Sequence, residues 1–292
     1  MRLLAGVGIV IARTGSDVTT TFDAWAELPT VHIGTTPIAN LAFAQTVSLI
    51  GQWLEQPQPR RIATANLDFL RLAASDRELE EALRAADLVT ADGTPVLWLA
   101  RLQRQPLRGR VTGADLIVPL VAEAHRRGRS VFLLGGAPGA AEASAVWFSQ
   151  RFSGLRIAGT ASPAIDIGNP ESCRQAVATV AATMPDLLLV ALGCPKQDLF
   201  LARHLHDLRC RVGIGVGASL DFLAGTVRRA PVALQRAGLE WVFRLSQEPR
   251  RLGGRYARDF VFLARAATQS FARRGDAGTA SGATPGNASR KA

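Results

Sequence analysis

Thr64, Asn66, Asp92, Arg110, Lys196, Gln197 and Asp221 each stand at the end of an apolar run or beside a glycine turn, where a side chain is free to meet a ligand. Together they supply a carboxylate able to accept a proton, a hydroxyl and amides able to read hydroxyl groups, and cations able to hold phosphate. The loop Gly135-Gly136-Ala137-Pro138-Gly139 adds backbone N–H groups. Each feature also has a plainer reading. Asp92 precedes Gly93 and could cap a helix opening at Pro95, Asp221 could be another cap, and Arg110 a surface cation. The glycine loop lacks a full G-x-G-x-x-G and is weak evidence for a dinucleotide. Convergence of the set would outweigh any one member, and convergence depends on the elements that carry them.

The run Leu187–Leu192, bounded by Pro185 and Gly193, is too short for a helix and reads as a strand buried on both faces. Gly193-Cys194-Pro195 turns the chain, and Lys196-Gln197-Asp198 opens the next helix. Lys196 stands out as one of two lysines in a chain that otherwise takes its positive charge from arginine. Further strands are expected at Val31–Ile33, Arg61–Asn66, Asp87–Asp92, Ser130–Gly136, Leu155–Thr160 and Val212–Gly217. Helical spacing fills the intervals: Ala39–Leu54, Leu67–Ala74, Asp76–Ala86, Pro95–Gln103, Ala114–Arg127, Ala140–Phe152, Glu171–Thr183 and a helix from Gln197 to Asp207. Such alternation predicts a parallel sheet with helices on both sides. In sheets of that kind ligands bind outside the carboxyl ends of the strands, which would bring the polar residues to one crevice.

At 292 residues the chain can bury a large core, and its 20% charged content suits an α/β protein with a rather apolar surface. The net charge of +10 is unevenly spread. From Arg228 to Arg274 eleven arginines face only Glu240, Glu248 and Asp259, a local balance of +8 that calls for an anionic partner. Trp241, Phe243, Leu245, Phe260, Phe262 and Leu263 interleave with those arginines, as in a helix lying at a membrane surface. Cys173, Cys194 and Cys210 suggest neither a disulfide framework nor zinc, and His204-x-His206 is a poor metal pair, so a reducing, cytoplasmic setting is expected. No run reaches the roughly 18–20 apolar residues of a spanning helix. Leu3–Ala12 has the length of a signal core, but Arg13 interrupts at once. Four regions are therefore expected: an irregular extension over 1–30, an α/β core over 31–225, a basic helical appendage over 226–274 and a disordered tail over 275–292.

Several blocks occur in a recognisable order: TANLDFL (64–70), ADLVTADGTPV (86–96), GRVTGADL (109–116), FLLGGAPG (132–139), PDLLLVALGCPKQD (185–198), GVGASLDFLAG (215–225), RRAP (228–231), GLEWVFRLSQEPRR (238–251) and RYARDF (255–260). From about Val31 to Phe271 the chain closely resembles the WecG/TagA/CpsF glycosyltransferases, glycosyltransferase family 26. The resemblance implies a Rossmann-like α/β fold with a basic α-helical C-terminal appendage that completes the site and docks on the membrane. It implies a cytoplasmic enzyme, peripheral on the inner face of the bacterial membrane. Such an enzyme moves a sugar from a UDP-sugar to an undecaprenyl-diphosphate-linked sugar with inversion and without a bound metal or other cofactor. It also leaves a homo-oligomer open.

By the same resemblance Asp92 is the base, Thr64, Asn66, Arg110 and Gln197 bind substrate, and Arg229, Arg244, Arg250 and Arg255 are the appendage arginines. Gly135, Gly136, Lys196 and Asp221 join the substrate-binding set from their place at the rim. Two positions depart from the family pattern, Asp198 where many members carry Glu and Arg110-Val111 after Gly109; neither is the base. N-acetylmannosamine, N-acetylmannosaminuronic acid and glucose donors all occur among such enzymes. The Ala- and Arg-rich composition leans toward exopolysaccharide synthesis, with glucose as one candidate. Two rival readings make different demands. A nicotinamide-dependent oxidoreductase needs the complete phosphate fingerprint with an acidic residue about 20 positions on, which this chain lacks. A nucleic-acid-binding protein needs charge dispersed along a groove, and the interleaved aromatics fit a lipid surface better.

Overall fold

A computed structural model describes residues 28–279 of the chain. The expected extension over 1–30 therefore falls almost wholly outside the described residues, as does most of the expected tail. An antiparallel hairpin comes first, β1 (Thr30–Ile33) against β2 (Thr36–Ala39), with Thr30 opposite Ala39. Gly34, at φ 63°, takes the first central position of its two-residue turn, where a left-handed backbone matches the strand twist. The sequence reading has no β2 and opens a helix at Ala39; β2 carries Pro37 in its interior. The proline is tolerated because β2 pairs only with β1. The first helix, α1 (Phe43–Trp53), starts later than the spacing predicts, and Gln45 Oε1 accepts from the Ala42 N–H at 2.9 Å.

The alternation then runs as expected, with boundaries shifted by a residue or a few. β3 (Arg60–Ala65), α2 (Leu67–Ala73) and α3 (Arg77–Arg84) are followed by β4 (Leu88–Ala91), α4 (Thr94–Leu102) and α5 (Gly113–Arg126). Next come β5 (Ser130–Gly135), α6 (Ala140–Arg151), β6 (Arg156–Ala161) and α7 (Pro170–Ala181). β7 (Leu187–Ala191), α8 (Lys196–His204), β8 (Val212–Gly215) and the short α9 (Ser219–Leu223) complete the core. The six strands β3 to β8 are parallel in the order β4-β3-β8-β7-β5-β6.

Period-two geometry explains the unbroken apolar runs. Along β7, Leu187 and Leu189 enter the layer under α1, α5, α6 and α9. Leu188 and Val190 enter the opposite layer, formed with α7 and α8. Each such side chain contributes about 1.5–3 kcal/mol of apolar burial, so neither face of the strand accepts a polar residue. The hairpin, α2, α3 and α4 cover the same second face at the β3–β4 end. After β3 the chain drops to that face, and after β8 it rises to the other. The crevice opens between these two diverging connections.

Past α9 the pattern changes to α10 (Val232–Arg236), α11 (Glu240–Gln247) and α12 (Pro249–Thr279). α12 continues to Thr279, beyond the Gly275 at which the tail was expected. It lies along α2 and α4, with Phe262, Leu263 and Ala266 packed against the core beneath. Phe262 and Leu263 therefore seat the appendage on the α/β core, where the sequence reading placed them in lipid. Arg71 on α2 pins the same surface through Asp259 at 2.7 Å. Among the described residues no helix is long and apolar enough to cross a membrane.

Candidate active site

The carboxyl ends of β3, β4, β7 and β8 and the loop after β5 open onto one cavity of about 610 Å³, roofed by α11 and the first turns of α12. Of the residues expected to meet there, Thr64, Asn66, Asp92, Gln197, Gly136 and Asp221 line it, as do Arg244 and Arg255 from the appendage.

Asp92 follows β4, and its N–H donates to Ala65 O at 2.9 Å, which fixes it beside the end of β3. The capping role open to it in the sequence is not taken. Gly93, at φ 115°, is the N-cap of α4 and no side chain caps that helix. The left-handed glycine turns the carboxylate instead toward the start of α5, where Oδ2 accepts from Gly113 N–H at 3.4 Å. The carboxylate lies deep among protein atoms at the cavity floor, partly exposed where it meets the cavity. Burial pushes its pKa up to about 6. The Gly113 N–H opposes that rise, the charge of Glu240 adds to it, and Arg110 and Arg244 pull weakly the other way.

The neutral polar groups are held by the fold. Thr64 is buried, and its hydroxyl donates across to Gly215 O at 3.0 Å. Asn66 caps α2, with Oδ1 accepting from Phe69 N–H at 3.2 Å, which leaves the amide nitrogen without a hydrogen-bond partner among the described residues. Gln197 is buried and its Oε1 accepts from Gly217 N–H at 3.0 Å. Its amide fills the space above Gly215: a Cβ there would meet Nε2 at 2.4 Å. Asp221 does not cap α9, whose N-cap is Ala218. Its Oδ1 accepts from Ala137 N–H at 2.8 Å, so a carboxylate occupies the glycine loop where a dinucleotide phosphate would sit.

Five expected residues do not line the cavity. Lys196 is exposed, because α8 turns its buried side, Gln197 and Asp198, inward. Arg250 is exposed as well, and the adjacent Arg251 lines the cavity instead, paired with Glu248. Gly135 closes β5 against β7: at φ 96°, any Cβ would meet Ala191 O at 2.6 Å. Arg110 reaches Glu240 at 3.1 Å and Asp115 at 3.5 Å, and Arg229 pairs with Asp115 at 2.5 Å and Glu240 at 3.4 Å.

The sequence reading missed several wall residues. Trp241 stands edge-on to Phe260 at 5.0 Å and to Tyr256 at 6.1 Å, and all three line the cavity. Asp68, Asp259 and Glu240 line it too. A spacing of three and four was available as a signal: Glu248, Arg251, Arg255 and Asp259 fall on one helical face, and Arg250 does not. Among the described residues Arg244 has no ion-pair partner and its buried Nε no hydrogen bond; its guanidinium stacks over Phe222 at 5.6 Å. Arg255 has Asp68 at 3.7 Å and a similarly orphaned Nε. A carboxylate on the floor, amides beside it and arginines in the roof are groups that could take a proton from a hydroxyl and hold an anionic leaving group.

Residues 31–276 match the model of the Glycosyl transferase WecG/TagA/CpsF family. A Bacillus spizizenii protein named N-acetylglucosaminyldiphosphoundecaprenol N-acetyl-beta-D-mannosaminyltransferase is 32% identical over 199 residues, 68% of this chain and 76% of its own length. Proteins of the same name from Bacillus subtilis, 29% identical over 199 residues, and Staphylococcus aureus, 30% identical over 192, cover 68% and 66% of this chain and 76% and 74% of their own lengths.

Proposed function

The chain belongs to the WecG/TagA/CpsF glycosyltransferase family, and from that premise we propose that it moves a hexose from a UDP-sugar to an undecaprenyl-diphosphate-linked sugar with inversion. The relatives' names favour N-acetylmannosamine as the sugar transferred and an N-acetylglucosaminyl lipid as acceptor, ahead of the glucose donor toward which composition leans. Family membership displaces the oxidoreductase and nucleic-acid readings.

The observation that carries the mechanism is Asp92, a carboxylate on the cavity floor with a pKa near 6. At neutral pH it is ionised yet still a competent proton acceptor. In the proposed step the acceptor hydroxyl gives its proton to Asp92 as its oxygen bonds to the anomeric carbon. On the opposite face the bond from that carbon to the diphosphate oxygen breaks, and UDP leaves with the electron pair. Arg244, Arg251 and Arg255 are the roof cations available to the departing diphosphate. Fixed cations in a water-poor site stabilise such charge more than they would in bulk water. Asn66 and Gln197 are the amides that read sugar hydroxyls, and Thr64 holds β3 to β8 beside them. An amide built to bond a hydroxyl rejects a sugar lacking it, because the amide is then left unpaired.

Attachment to the membrane is proposed to be peripheral, through the exposed side of the appendage. Val232, Leu239 and Val242 are exposed there beside Arg228 and Arg236. UDP release from a panel of UDP-sugars with a lipid-diphosphate acceptor tests the activity and identifies the donor. In the same assay Asp92→Asn keeps the shape of the side chain, and turnover should fall by about 10²-fold or more with the melting temperature retained. Near-wild-type turnover would remove Asp92 from the chemistry.

A further inference from the structure

The reaction as set out gives no part to Glu240, which α11 brings into the cavity wall near Asp92. Both of its oxygens are taken: Oε2 accepts from Arg110 Nη1 at 3.1 Å and Oε1 from Arg229 Nε at 3.4 Å. Asp115 on α5 receives the other ends of the same arginines, Arg229 Nη2 at 2.5 Å and Arg110 Nη2 at 3.5 Å. Two carboxylates and two guanidiniums thus close a ring between core and appendage. Its members are 18–28% exposed, shielded enough for charge pairing to exceed that of a surface salt bridge.

The ring matters because of where Arg110 stands. It lies just before Thr112 and Gly113, and the Gly113 N–H is the hydrogen bond that holds Asp92. Its positive charge already acts on Asp92 from its present position. Without Glu240, the Arg110 guanidinium has Asp92 as a further carboxylate to turn to. A carboxylate forked by arginine loses both its free lone pairs and its appetite for a proton. As the ring stands, no cation among the described residues is within ion-pair distance of Asp92.

We propose that Glu240 is a positioning residue: by holding Arg110 away from Asp92, it makes the seated appendage a condition for the carboxylate to act as base. The proposal rests on the reading of Asp92 as that base. The groups acting on Asp92 are the Gly113 N–H of α5, Arg110 in the segment before it, and Glu240 and Arg244 of α11. Among these only Glu240 favours the protonated form, and burial acts in the same direction. Removing the Glu240 charge therefore weakens the base twice, by deleting a like charge and by leaving Arg110 held by Asp115 alone, at 3.5 Å.

The test is the pH profile of kcat/KM for sugar transfer by the full chain, with UDP-N-acetylmannosamine and a short-lipid diphosphate acceptor. Wild type should show an acid limb near pH 6. Glu240→Gln should move that limb down by about half a unit or more. Glu240→Asp keeps the charge and should hold the limb near wild type even if KM rises. A merely structural role predicts a weaker KM or a lower melting temperature with the limb unmoved, and that result overturns the proposal. Asp92→Asn separates this failure from failure of the base reading. If its residual activity keeps the limb, Asp92 is not the titrating base. If the limb vanishes with Asp92→Asn yet stays put in Glu240→Gln, only the role of Glu240 is lost.

Discussion

Asp198 shows how far one side chain's chemistry depends on where it is buried. In the sequence it is an ordinary acidic residue in the first turn of a helix, where it suits the helix dipole. In the structure it is 0% exposed, and neither carboxyl oxygen meets hydrogen-bond geometry with a partner, although the Gln197 amide lies close. Burial pushes its pKa up to about 7 against the pull of Arg61, which is itself buried and has its own proton affinity lowered. Between the ordinary carboxylate range and about pH 7, the native state holds a proton that the unfolded chain has released. Stability from this group therefore falls as pH rises through that window. The wild-type melting temperature should drop between pH 5 and pH 8, and Asp198→Asn should flatten that drop. An equally steep drop in the variant would assign the pH dependence to other groups.

At the scale of elements, the strands were legible because burial on both faces leaves an unmistakable apolar run, as in Leu187–Leu192. The hairpin strand β2 was hidden, since four residues including Pro37 carry too little pattern to outweigh the adjacent helical spacing. Helical phase decides the arginines. Arg251, Arg255 and Asp259 follow one face of α12, with Glu248 just before its start, whereas Arg250 is rotated about 100° from Arg251. Arg251→Ala should lower kcat/KM about tenfold or more, the scale of a lost charge-assisted phosphate contact, and Arg250→Ala should stay within about twofold. Equal losses in the same transfer assay would mean that α12 turns on binding substrate.

For the whole molecule, the arginines behind the +8 balance from Arg228 to Arg274 divide into two sets. Arg229, Arg244, Arg251 and Arg255 are turned toward the site and its ion pairs. Arg228, Arg236, Arg250 and Arg258 remain exposed, beside apolar groups such as Val232, Leu239 and Val261. At roughly 1 kcal/mol for each arginine near an anionic surface, that exposed set would be enough for the proposed salt-sensitive binding without a spanning helix. Cosedimentation with anionic vesicles should be strong at low salt, weaken in high salt, and be lost on deleting the chain from Arg228 onward. Retention of the deleted protein on vesicles at high salt would place the lipid contact in the core.

What the sequence determined by itself is the layered α/β architecture, the convergence of polar residues at the carboxyl rim and the family. These follow from periodicity and from ordered local blocks, which need no knowledge of distant partners. Only the tertiary structure decided which of the rim residues face the cavity. Asp92 turned from the helix it precedes toward Gly113, Arg110 was claimed by Glu240 lying 130 positions away, and Lys196 was left in solvent. The physical reason is that a polar side chain settles where its hydrogen bonds and charge are best met once water is excluded. Those partners come from α5 and α11, which reach the rim only when the sheet and its appendage have assembled.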